Sequence, residues 1–472
     1  METITLPYWF FIVLVVFAAV MVLDRILLPG MRWYLKRRVN RVINEINTRL
    51  DIEIRPIQFT RRQALIDQLV FDDKVIDAIK EYADEHDMPH AVAQDKAHKY
   101  ASEIIPAFNA YIYFRIGYWL AKKLARLVYR VRVGFYDHDK ISEADTNASV
   151  VFVMNHRSNM DYVLVSFLVA EKTTLSYAVG EWARIWPLQT LIKAMGAFFV
   201  RRNSGNALYR KVLERYVNMS TRAGVCQAVF LEGGLTKTGA MNPSRLGFLD
   251  YMLRDYHPHT DRDIVFIPVG INYDRVIEDR SLVRRLDKAA EKRSLWFVIK
   301  TTATFIFKNA LLSRKNRWRR FGYASVNFGE PISAKKYCET KQLDFSALAP
   351  EERFLSVESL ANSIMKNIKQ VVPVLPVALM CEVLIKNKTD WRSELELKAQ
   401  CAERIGQLEK AGAPIEISAS AIESVLGAAL SALIGRGLVD EKDNLYRTLE
   451  SESDIINYYA NSIVHWRAIE TN

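Results

Sequence analysis

Cysteine is scarce in this chain, with four residues among 472, and no two of them form a C-x-x-C pair. Because disulfide frameworks and structural zinc sites need paired or closely spaced cysteines, the sequence argues against both and favours a reducing compartment. Glycine and proline are also sparse, at 19 and 14 residues, while half of the chain is apolar. These proportions exclude a collagen-like, low-complexity or disordered polymer, and they suffice for the cores of two or three domains.

Acidic residues are too few to balance the basic ones. Lysine and arginine together number 65 against 54 aspartates and glutamates, which gives a formal net charge of +11 and a pI of about 9.3. Such an excess predicts attraction to anions, whether phospholipid headgroups, nucleic acid or phosphorylated substrates, without choosing among them.

A long uncharged run lies near the N-terminus, from Leu6 to Leu23. As a helix it spans about 27 Å, enough for the hydrocarbon of a bilayer. Six basic residues and no acidic one follow between Arg25 and Arg41, which predicts that the rest of the chain is cytoplasmic. A cleavable signal peptide needs a basic n-region, and the chain begins Met-Glu-Thr. We therefore expect an uncleaved anchor, the alternative being a helix on the membrane surface or in a protein core.

The next hundred residues read as helical. Residues 42–105 are rich in good helix formers, and residues 107–133 interleave aromatic with basic side chains. Within the second segment, apolar residues recur at helical spacing: Leu120, Leu124, Leu127 and Val131. This pattern predicts a basic amphipathic helix suited to an anionic membrane surface, although an ordinary helix facing the core fits the same spacing.

After Gly134 the chain changes to short β-branched runs separated by loops and helices. Strands are predicted at residues 149–154, 175–179, 225–231, 264–271 and 323–328. Helical segments such as 162–169 and 186–195 lie between them, so we expect an α/β class with a mixed sheet and the chemistry at strand ends.

Three further segments complete the organisation. Residues 294–312 predict a helix lying flat on the membrane or on the protein, residues after about 350 are again helical, and residues 436–446 predict a short hairpin. The predicted units are an anchor and basic flank (1–41), a helical membrane-associated region (42–140), an α/β domain (141–345) and a helical C-terminal subdomain (346–472).

The first chemical candidate follows the first strand, at His156 and Asp161. On one continuous helix the two side chains would point about 140° apart. If His156 instead lies in a turn and Asp161 in the first helical turn, the carboxylate reaches the imidazole and makes it a general base. The start of that helix also offers N–H groups to an anion. The alternative is structural, with Asn159 and Asp161 capping the helix and His156 bonded to a loop carbonyl.

Three later strand-end segments supply cations and turns. Gly196–Arg202 ends in two arginines, Glu232–Gly239 is a glycine loop with a lysine, and Ile267–Arg275 contains a proline-bounded turn. Such loops can meet at one edge of a sheet and hold a phosphorylated ligand.

These four segments are similar to the four blocks of the glycerol-3-phosphate acyltransferases, within the glycerolipid acyltransferases. H-R-S-x-x-D matches His156–Asp161, and G-A-F-F-x-R-R matches Gly196–Arg202. F-x-E-G-G-R-S-R-T-G matches Phe230–Gly239 in part, and P-V with a downstream Tyr-Asp/Glu matches Pro268–Asp274. Tyr458–His465 resembles the family's C-terminal Y-Y-R-N-N-I-x-H, and we expect it to pack a terminal helix onto the α/β domain.

The resemblance implies an enzyme of phospholipid synthesis in the bacterial cytoplasmic membrane, with its site on the cytoplasmic side. It would transfer an acyl group from acyl-CoA or acyl-carrier protein to the sn-1 hydroxyl of glycerol 3-phosphate, giving lysophosphatidate. His156 would take the hydroxyl proton and Asp161 would orient the imidazole, without a cofactor or metal. An anionic phospholipid membrane is an expected partner, and nucleic acid is not.

The resemblance also implies a set of substrate-binding residues, in which the cations hold the phosphate and Glu232 and Gly233 shape the acceptor pocket. The set is Arg157, Ser158, Arg202, Glu232, Gly233, Lys237 and Pro268. The third block departs from the family because Leu235-Thr236-Lys237 replaces Arg-Ser-Arg. One cation is lost and another becomes a point charge, so a lysophospholipid acceptor such as 1-acylglycerol 3-phosphate stays open.

Other functions fit the sequence less well. Gly234 and Lys237 faintly resemble a phosphate loop, but Thr236 stands where a P-loop has glycine, and no G-x-S-x-G elbow occurs. His257 and His259 flank a proline in an acidic segment, which favours a solvated turn over a metal site. The rival from another class is a non-catalytic protein of the membrane surface.

Overall fold

The structure is a computed structural model, and it describes most of the chain after residue 54. The described residues are 55–134, 147–169, 173–180, 188–201, 204–284, 321–417 and 421–471. The predicted anchor at 6–23, its basic flank and the predicted helix at 294–312 all lie outside them. In the part that is described, no helix has both the length and the apolar content needed to cross a bilayer.

The described residues form eleven strands. They are β1 (Arg130–Val133), β2 (Ser149–Met154), β3 (Ser176–Gly180), β4 (Phe198–Val200), β5 (Gln227–Phe230), β6 (Ile264–Tyr273), β7 (Tyr323–Phe328), β8 (Ile332–Ser333), β9 (Arg392–Ser393), β10 (Val439–Lys442) and β11 (Leu445–Thr448).

The α-helices surround these strands. They are α1 (Pro56–Phe59), α2 (Arg62–Val70), α3 (Asp73–Glu85), α4 (His90–Ile104), α5 (Tyr118–Val128), α6 (Met160–Val169), α7 (Leu188–Ala194), α8 (Ala207–Arg222), α9 (Gly247–Leu253), α10 (Asp279–Arg284), α11 (Ala334–Lys341), α12 (Pro350–Val371), α13 (Pro376–Lys386), α14 (Glu394–Lys410), α15 (Ile422–Ile434) and α16 (Ser453–Ala460). A π-helix, Ile112–Gly117, precedes α5, and two 3₁₀-helices, Glu450–Glu452 and Asn461–Thr471, flank α16.

The main sheet is mixed, which confirms the predicted α/β class. Its strand order is β1-β7-β6-β2-β5-β3-β4, with β8 on β6. β7 and β8 run antiparallel to β6, whereas the central strands β6, β2, β5 and β3 are parallel to one another. The carboxyl ends of β2, β5 and β6 therefore meet at one edge of the sheet.

The central strands are buried on both faces. All six residues of β2 are buried, and successive side chains enter two different hydrophobic clusters. Val150, Phe152 and Met154 join the cluster that contains α5, α6 and α13, while Val151 and Val153 join the one that contains α8 and α12. This alternation explains the continuous apolar run, since helices cover both sides of the sheet.

Residues 107–133 differ from the predicted single amphipathic helix. α5 ends at Val128 because Tyr129 is extended, and β1 then pairs with β7. The buried residues of α5 are Ala121, Ala125 and Val128, and α5 packs against α6. Of the predicted apolar stripe, Leu124 and Val131 pack partly buried against the hydrophobic cluster and Leu120 is exposed, so a membrane-facing role for this helix stays a prediction.

The remaining secondary structure largely follows the sequence. The predicted hairpin is present as β10 and β11, and the four cysteines are buried and unpaired. Three short strands of the main sheet were not predicted: β1, β4 and β8. The C-terminal helices share a hydrophobic cluster with the main sheet. The predicted domain boundaries stay a prediction.

Candidate active site

The loop after β2 is fixed at its base by Asn155. Its side-chain amide donates to the carbonyl oxygen of Ile271 at 2.9 Å and accepts the N–H of the same residue at 2.8 Å. This pair of bonds ties the end of β2 to β6, so the residues that follow leave the sheet at a defined point.

The predicted contact between His156 and Asp161 is present. Residues 155–158 are not helical, and α6 begins at Met160. This turn brings Nδ1 of His156 to 2.9 Å from Oδ2 of Asp161, with both side chains almost completely buried. The same carboxylate also accepts the backbone N–H groups of Arg157 and Ser158 at 2.7 and 3.0 Å. Both residues precede α6, so Asp161 fixes the turn ahead of the helix.

Asp161 thus receives four hydrogen bonds. The fourth comes from the Tyr273 hydroxyl, which donates to Oδ1 at 2.6 Å from the end of β6. Burial and the neighbouring carboxylate raise the pKa of Tyr273 well above its usual value, which keeps this hydroxyl a donor. An ionised carboxylate can only accept hydrogen bonds, so Nδ1 of His156 must carry the proton in its bond to Asp161. Nε2 is then the nitrogen that can act as a base.

Aromatic rings hold the imidazole in place. The ring of Phe230, at the end of β5, stacks on His156 with centroids 4.0 Å apart, and Tyr162 meets it edge-on at 5.6 Å. The imidazole is thereby fixed by its ring face as well as by Nδ1.

Glu232 fixes the backbone of the same loop. Its carboxylate accepts the N–H of His156 at 2.9 Å and that of Asn242 at 2.7 Å. Burial raises its pKa to about 7, although these two N–H groups and the charge of Arg157 act in the opposite direction. Glu232 therefore fixes the backbone of the loop at residues 155–158, which we call the catalytic loop because it carries the proposed base His156.

The glycine loop folds back over His156. The N–H of Thr236 donates to the carbonyl oxygen of His156 at 3.0 Å, and Lys237 beside it is exposed. Gly233 has a φ of +66°, and a β-carbon there would meet Cγ of Arg245 at 2.8 Å. The glycine loop consequently places one exposed cation, Lys237, next to the loop that carries His156. The family has two arginines in the corresponding block.

Arg157 is a buried cation beside His156. It is 2% exposed, and its Nη1 donates to the carbonyl oxygen of Gly239 at 2.6 Å. Within the described residues, Nε and Nη2 are buried and have no hydrogen-bond partner. Unsatisfied donors of a buried guanidinium are costly, so this group is suited to an anionic ligand.

Glu278 occupies the start of α6. It accepts the Ser158 hydroxyl at 2.8 Å, and the backbone N–H and side-chain amide of Asn159 at 3.2 and 3.0 Å. At this helix start the N–H of Asn159 is therefore already bonded to a carboxyl group of the protein. The Ser158 hydroxyl, expected to bind substrate, is used in this cap and also accepts the N–H of Met160.

Two further expected site residues are Arg202 and Pro268. Arg202 is outside the described residues, and its neighbour Arg201 pairs with Glu103 of α4 at 2.6 Å. Pro268 is buried inside β6 opposite Val153, where its described contacts are with the sheet.

Sequence reasoning missed three contributors: Phe230, Tyr273 and Glu278. Phe230 and Tyr273 lie within the motif blocks, and their positions as strand-terminal residues were the available signal. Glu278 carried no signal, because nothing in the spacing relates it to Ser158.

No cluster of three metal-ligating side chains occurs in the described ranges. His257 contacts Asp344 at 3.3 Å, and its backbone N–H is accepted by Asp261, as in a hydrogen-bonded turn.

Two family models match the chain. Residues 132–272, which contain His156, Asp161 and Glu232, match the acyltransferase family. Residues 308–471 match the C-terminal region of glycerol-3-phosphate acyltransferases.

Curated relatives carry a consistent name. A glycerol-3-phosphate acyltransferase of Alteromonas mediterranea is 29% identical over 424 residues, covering 86% of this chain and 50% of the relative. One of Pseudomonas aeruginosa is 28% identical over 447 residues, covering 91% of this chain and 51% of the relative. The chain thus spans about half the length of these relatives.

Among solved structures, the 1-acyl-sn-glycerophosphate acyltransferase PlsC of Thermotoga maritima aligns with 54% of this chain and 78% of its own. The TM-score is 0.31 at 16% identity. The two family matches confirm the resemblance indicated by the motifs: residues 132–272 are similar to the acyltransferase family and residues 308–471 to the C-terminal region of glycerol-3-phosphate acyltransferases.

Proposed function

We propose that the protein transfers a fatty acyl group from a thioester, acyl-CoA or acyl-carrier protein, to the sn-1 hydroxyl of glycerol 3-phosphate. The observation that carries this proposal is a buried His156–Asp161 pair followed in the chain by Arg157, whose buried guanidinium has two unused donors. The names of the relatives support the same acceptor. A base next to an anion site is what acylation of a phosphorylated alcohol requires.

His156 supplies the proton transfer. Its Nε2 takes the proton of the hydroxyl while the oxygen forms a bond to the thioester carbonyl carbon, and Asp161 stabilises the resulting imidazolium. The C–S bond then breaks, and the sulfur leaves as a thiol with the proton that His156 returns. No covalent enzyme intermediate is needed, since both substrates are held together.

The acceptor phosphate is held by Arg157 and by the exposed Lys237, with Arg202 as a third cation. Arg157 is buried next to the base and can offer two parallel donors, whereas Lys237 gives a point charge at the rim. Neither residue needs a metal or cofactor to bind phosphate.

A second acceptor class is supported by one observation. Leu235 replaces a family arginine and packs partly buried against the hydrophobic cluster of the sheet. An apolar residue in this loop is compatible with an acceptor that carries an acyl chain, such as 1-acylglycerol 3-phosphate.

A membrane location is part of the proposal. Ile116, Trp119 and Leu120 are exposed on one face around the start of α5, and the ammonium group of Lys123 lies 4.7 Å from the Trp119 ring centroid. An exposed aromatic and aliphatic patch with basic neighbours suits the anionic cytoplasmic surface of a bacterial inner membrane. Together with the predicted anchor at 6–23, this surface would keep the site close to its lipid product.

The proposal is tested by acyl transfer with the purified full chain and His156→Ala. Acyl-CoA and acyl-carrier protein are each offered with glycerol 3-phosphate and with 1-acylglycerol 3-phosphate. We expect acylation of glycerol 3-phosphate, reduced by about 10²–10⁴-fold in His156→Ala. Vesicle binding of both proteins is the control for folding and membrane association.

Each other outcome has a definite meaning. Faster acylation of 1-acylglycerol 3-phosphate would replace the acceptor. The absence of any acylation by the parent protein, with vesicle binding retained, would favour the non-catalytic membrane-surface protein.

A further inference from the structure

The C-terminal helix α16 lies against the catalytic loop. Its Tyr458 is 1% exposed, and the guanidinium carbon of Arg157 lies 5.1 Å from the centroid of the Tyr458 ring. The Tyr458 hydroxyl donates to the carbonyl oxygen of Arg157 at 3.4 Å, a long hydrogen bond. The ring face of Tyr458 thus contacts Arg157, which follows His156 and lies 301 positions earlier in the chain.

The same C-terminal segment contacts the glycine loop. Gly239 has a φ of +88°, and a β-carbon at this position would collide with the carbonyl oxygen of Tyr458. The side-chain amide of Asn461 donates to the carbonyl oxygen of Thr238 at 3.0 Å. Only glycine allows this approach, so the loop and α16 are fitted to each other.

These contacts leave Arg157 with little freedom. Gly239 accepts Nη1 on one side, and the Tyr458 ring faces the guanidinium on the other. A cation facing an aromatic ring is attracted to it, and the planar guanidinium then keeps one orientation. Nε and Nη2 are the donors left over.

From this arrangement we infer that Tyr458 is a positioning residue for the acceptor's phosphate: its ring holds Arg157 so that Nε and Nη2 bind the anion. The inference rests on the proposed function and deepens it, since it makes the C-terminal region part of the acceptor site. In this inference the ring face of Tyr458 holds the Arg157 guanidinium in place. The long hydrogen bond from the Tyr458 hydroxyl does not contribute to this positioning.

The test must separate positioning from stability, because Tyr458 is also buried in the hydrophobic cluster. Initial rates are measured at varied concentrations of glycerol 3-phosphate for the full-length parent and for Tyr458→Phe, Tyr458→Leu and Arg157→Lys. The double variant that combines Tyr458→Leu with Arg157→Lys is measured in the same way. Tyr446→Leu is the matched control, since it removes a buried tyrosine of the C-terminal region that bonds Glu441 in the hairpin.

We expect Tyr458→Leu to raise KM for glycerol 3-phosphate at least about tenfold, with kcat changed less than about threefold. Tyr458→Phe keeps the ring and should stay within about twofold of the parent KM. In the double variant KM should be no higher than in Arg157→Lys alone, because Tyr458 acts through Arg157.

Two results would overturn the inference. One is a KM change in Tyr458→Leu that is no larger than in Tyr446→Leu, and the other is a double variant in which the two effects multiply. Should Tyr458→Leu fail to fold, Tyr458→Met fills more of the volume without a ring face and replaces it in every comparison.

Calorimetric titration with glycerol 3-phosphate and with inorganic phosphate separates this inference from the proposed function. If the parent binds either anion and Tyr458→Leu binds it at least about tenfold more weakly, the inference holds even where no acylation occurs. If parent and variant bind alike, or the parent binds neither anion, the inference fails whatever the acylation result.

Discussion

The hydroxyl of Tyr273 donates a 2.6 Å hydrogen bond to Oδ1 of Asp161, although 112 residues separate the two in the chain. Oδ2 of the same carboxylate is taken by His156 and by two backbone N–H groups of the loop. Both oxygens of Asp161 are thus fixed, one by its own loop and one by the end of β6. The orientation of the imidazole therefore depends on the sheet as well as on the H-x4-D turn.

Replacing Tyr273 with phenylalanine should lower kcat by about tenfold, because Oδ1 is left buried without a donor and Asp161 can rotate. The free energy of unfolding should fall by about 1–3 kcal/mol. Steady-state acylation rates and urea unfolding of the purified chain measure the two effects.

Tyr129→Phe is the matched control for this prediction. Tyr129 is also buried, and its ring centroid lies 5.2 Å from that of Tyr273. Its hydroxyl donates to the carbonyl oxygen of Arg275 at 2.7 Å. It should lose similar stability and keep kcat. Equal losses of kcat in both variants would show that Tyr273 matters only for stability.

The parts of the site that are close in sequence were predictable. The β-branched runs around Val151 and Phe266 indicated buried strands, and their carboxyl ends meet as expected for parallel neighbours. The contact of His156 with Asp161 followed from a turn ahead of a helix, which is a local geometric argument.

Most long-range contacts were not predictable from one sequence. The resemblance predicted that the Tyr458–His465 segment packs onto the α/β domain, which the structure confirms, but not that Tyr458 meets Arg157. Glu278 reaches Ser158 only because the residues after β6 pack beside the loop that follows β2, and no spacing in the chain encodes that packing. The buried face of α5 was not predictable either, because hydrophobicity marked the leucines, whereas packing against α6 buries Ala121 and Ala125 and leaves Leu120 exposed.

The pKa of Glu232, raised to about 7 by burial, predicts a pH-dependent stability difference between the parent and Glu232→Gln. Between its ordinary value of 4.5 and about 7, the folded state holds a proton that the unfolded state has released. The contribution of Glu232 to the free energy of unfolding therefore falls as pH rises through this interval, by on the order of 3 kcal/mol.

Glutamine does not titrate, so Glu232→Gln should gain stability relative to the parent between pH 5 and about pH 8. Urea unfolding at several pH values measures the difference. Glu358→Gln, which removes an exposed carboxylate of α12, is the control for the loss of one charge. A parent that gains stability over the variant as pH rises would mean that the N–H groups of His156 and Asn242 outweigh burial.

Glu278→Ala should reduce kcat by about tenfold with a smaller effect on KM, because Ser158 and Asn159 lose their acceptor and the turn that presents His156 loosens. Glu278→Gln keeps one acceptor oxygen and should be less affected. Initial rates at varied concentrations of both substrates, with thermal unfolding in parallel, measure these changes.

Asp274→Asn provides the comparison for Glu278. Asp274 is also buried and accepts two backbone N–H groups, from Tyr323 at 2.8 Å and Val377 at 3.1 Å, away from the catalytic loop. It should lower the unfolding temperature and leave kcat within about twofold. If Glu278→Ala merely lowers the unfolding temperature in the same way, the cap has no part in catalysis.

Under the proposed membrane location, the exposed patch of Ile116, Trp119 and Leu120 is the surface that would contact the bilayer. The four native cysteines are buried, so a cysteine introduced at Trp119 can be labelled selectively with an environment-sensitive fluorophore. We expect its emission to shift to the blue on vesicles containing an anionic phospholipid, and less at high salt, because Lys123 and Arg115 contribute electrostatic attraction. The control is the same label on a cysteine introduced at Leu395, which is 78% exposed on α14 and lies outside this patch. Its emission should not shift when vesicles are added. If both labels respond alike, the patch does not face the lipid, and the proposed membrane surface on α5 is wrong.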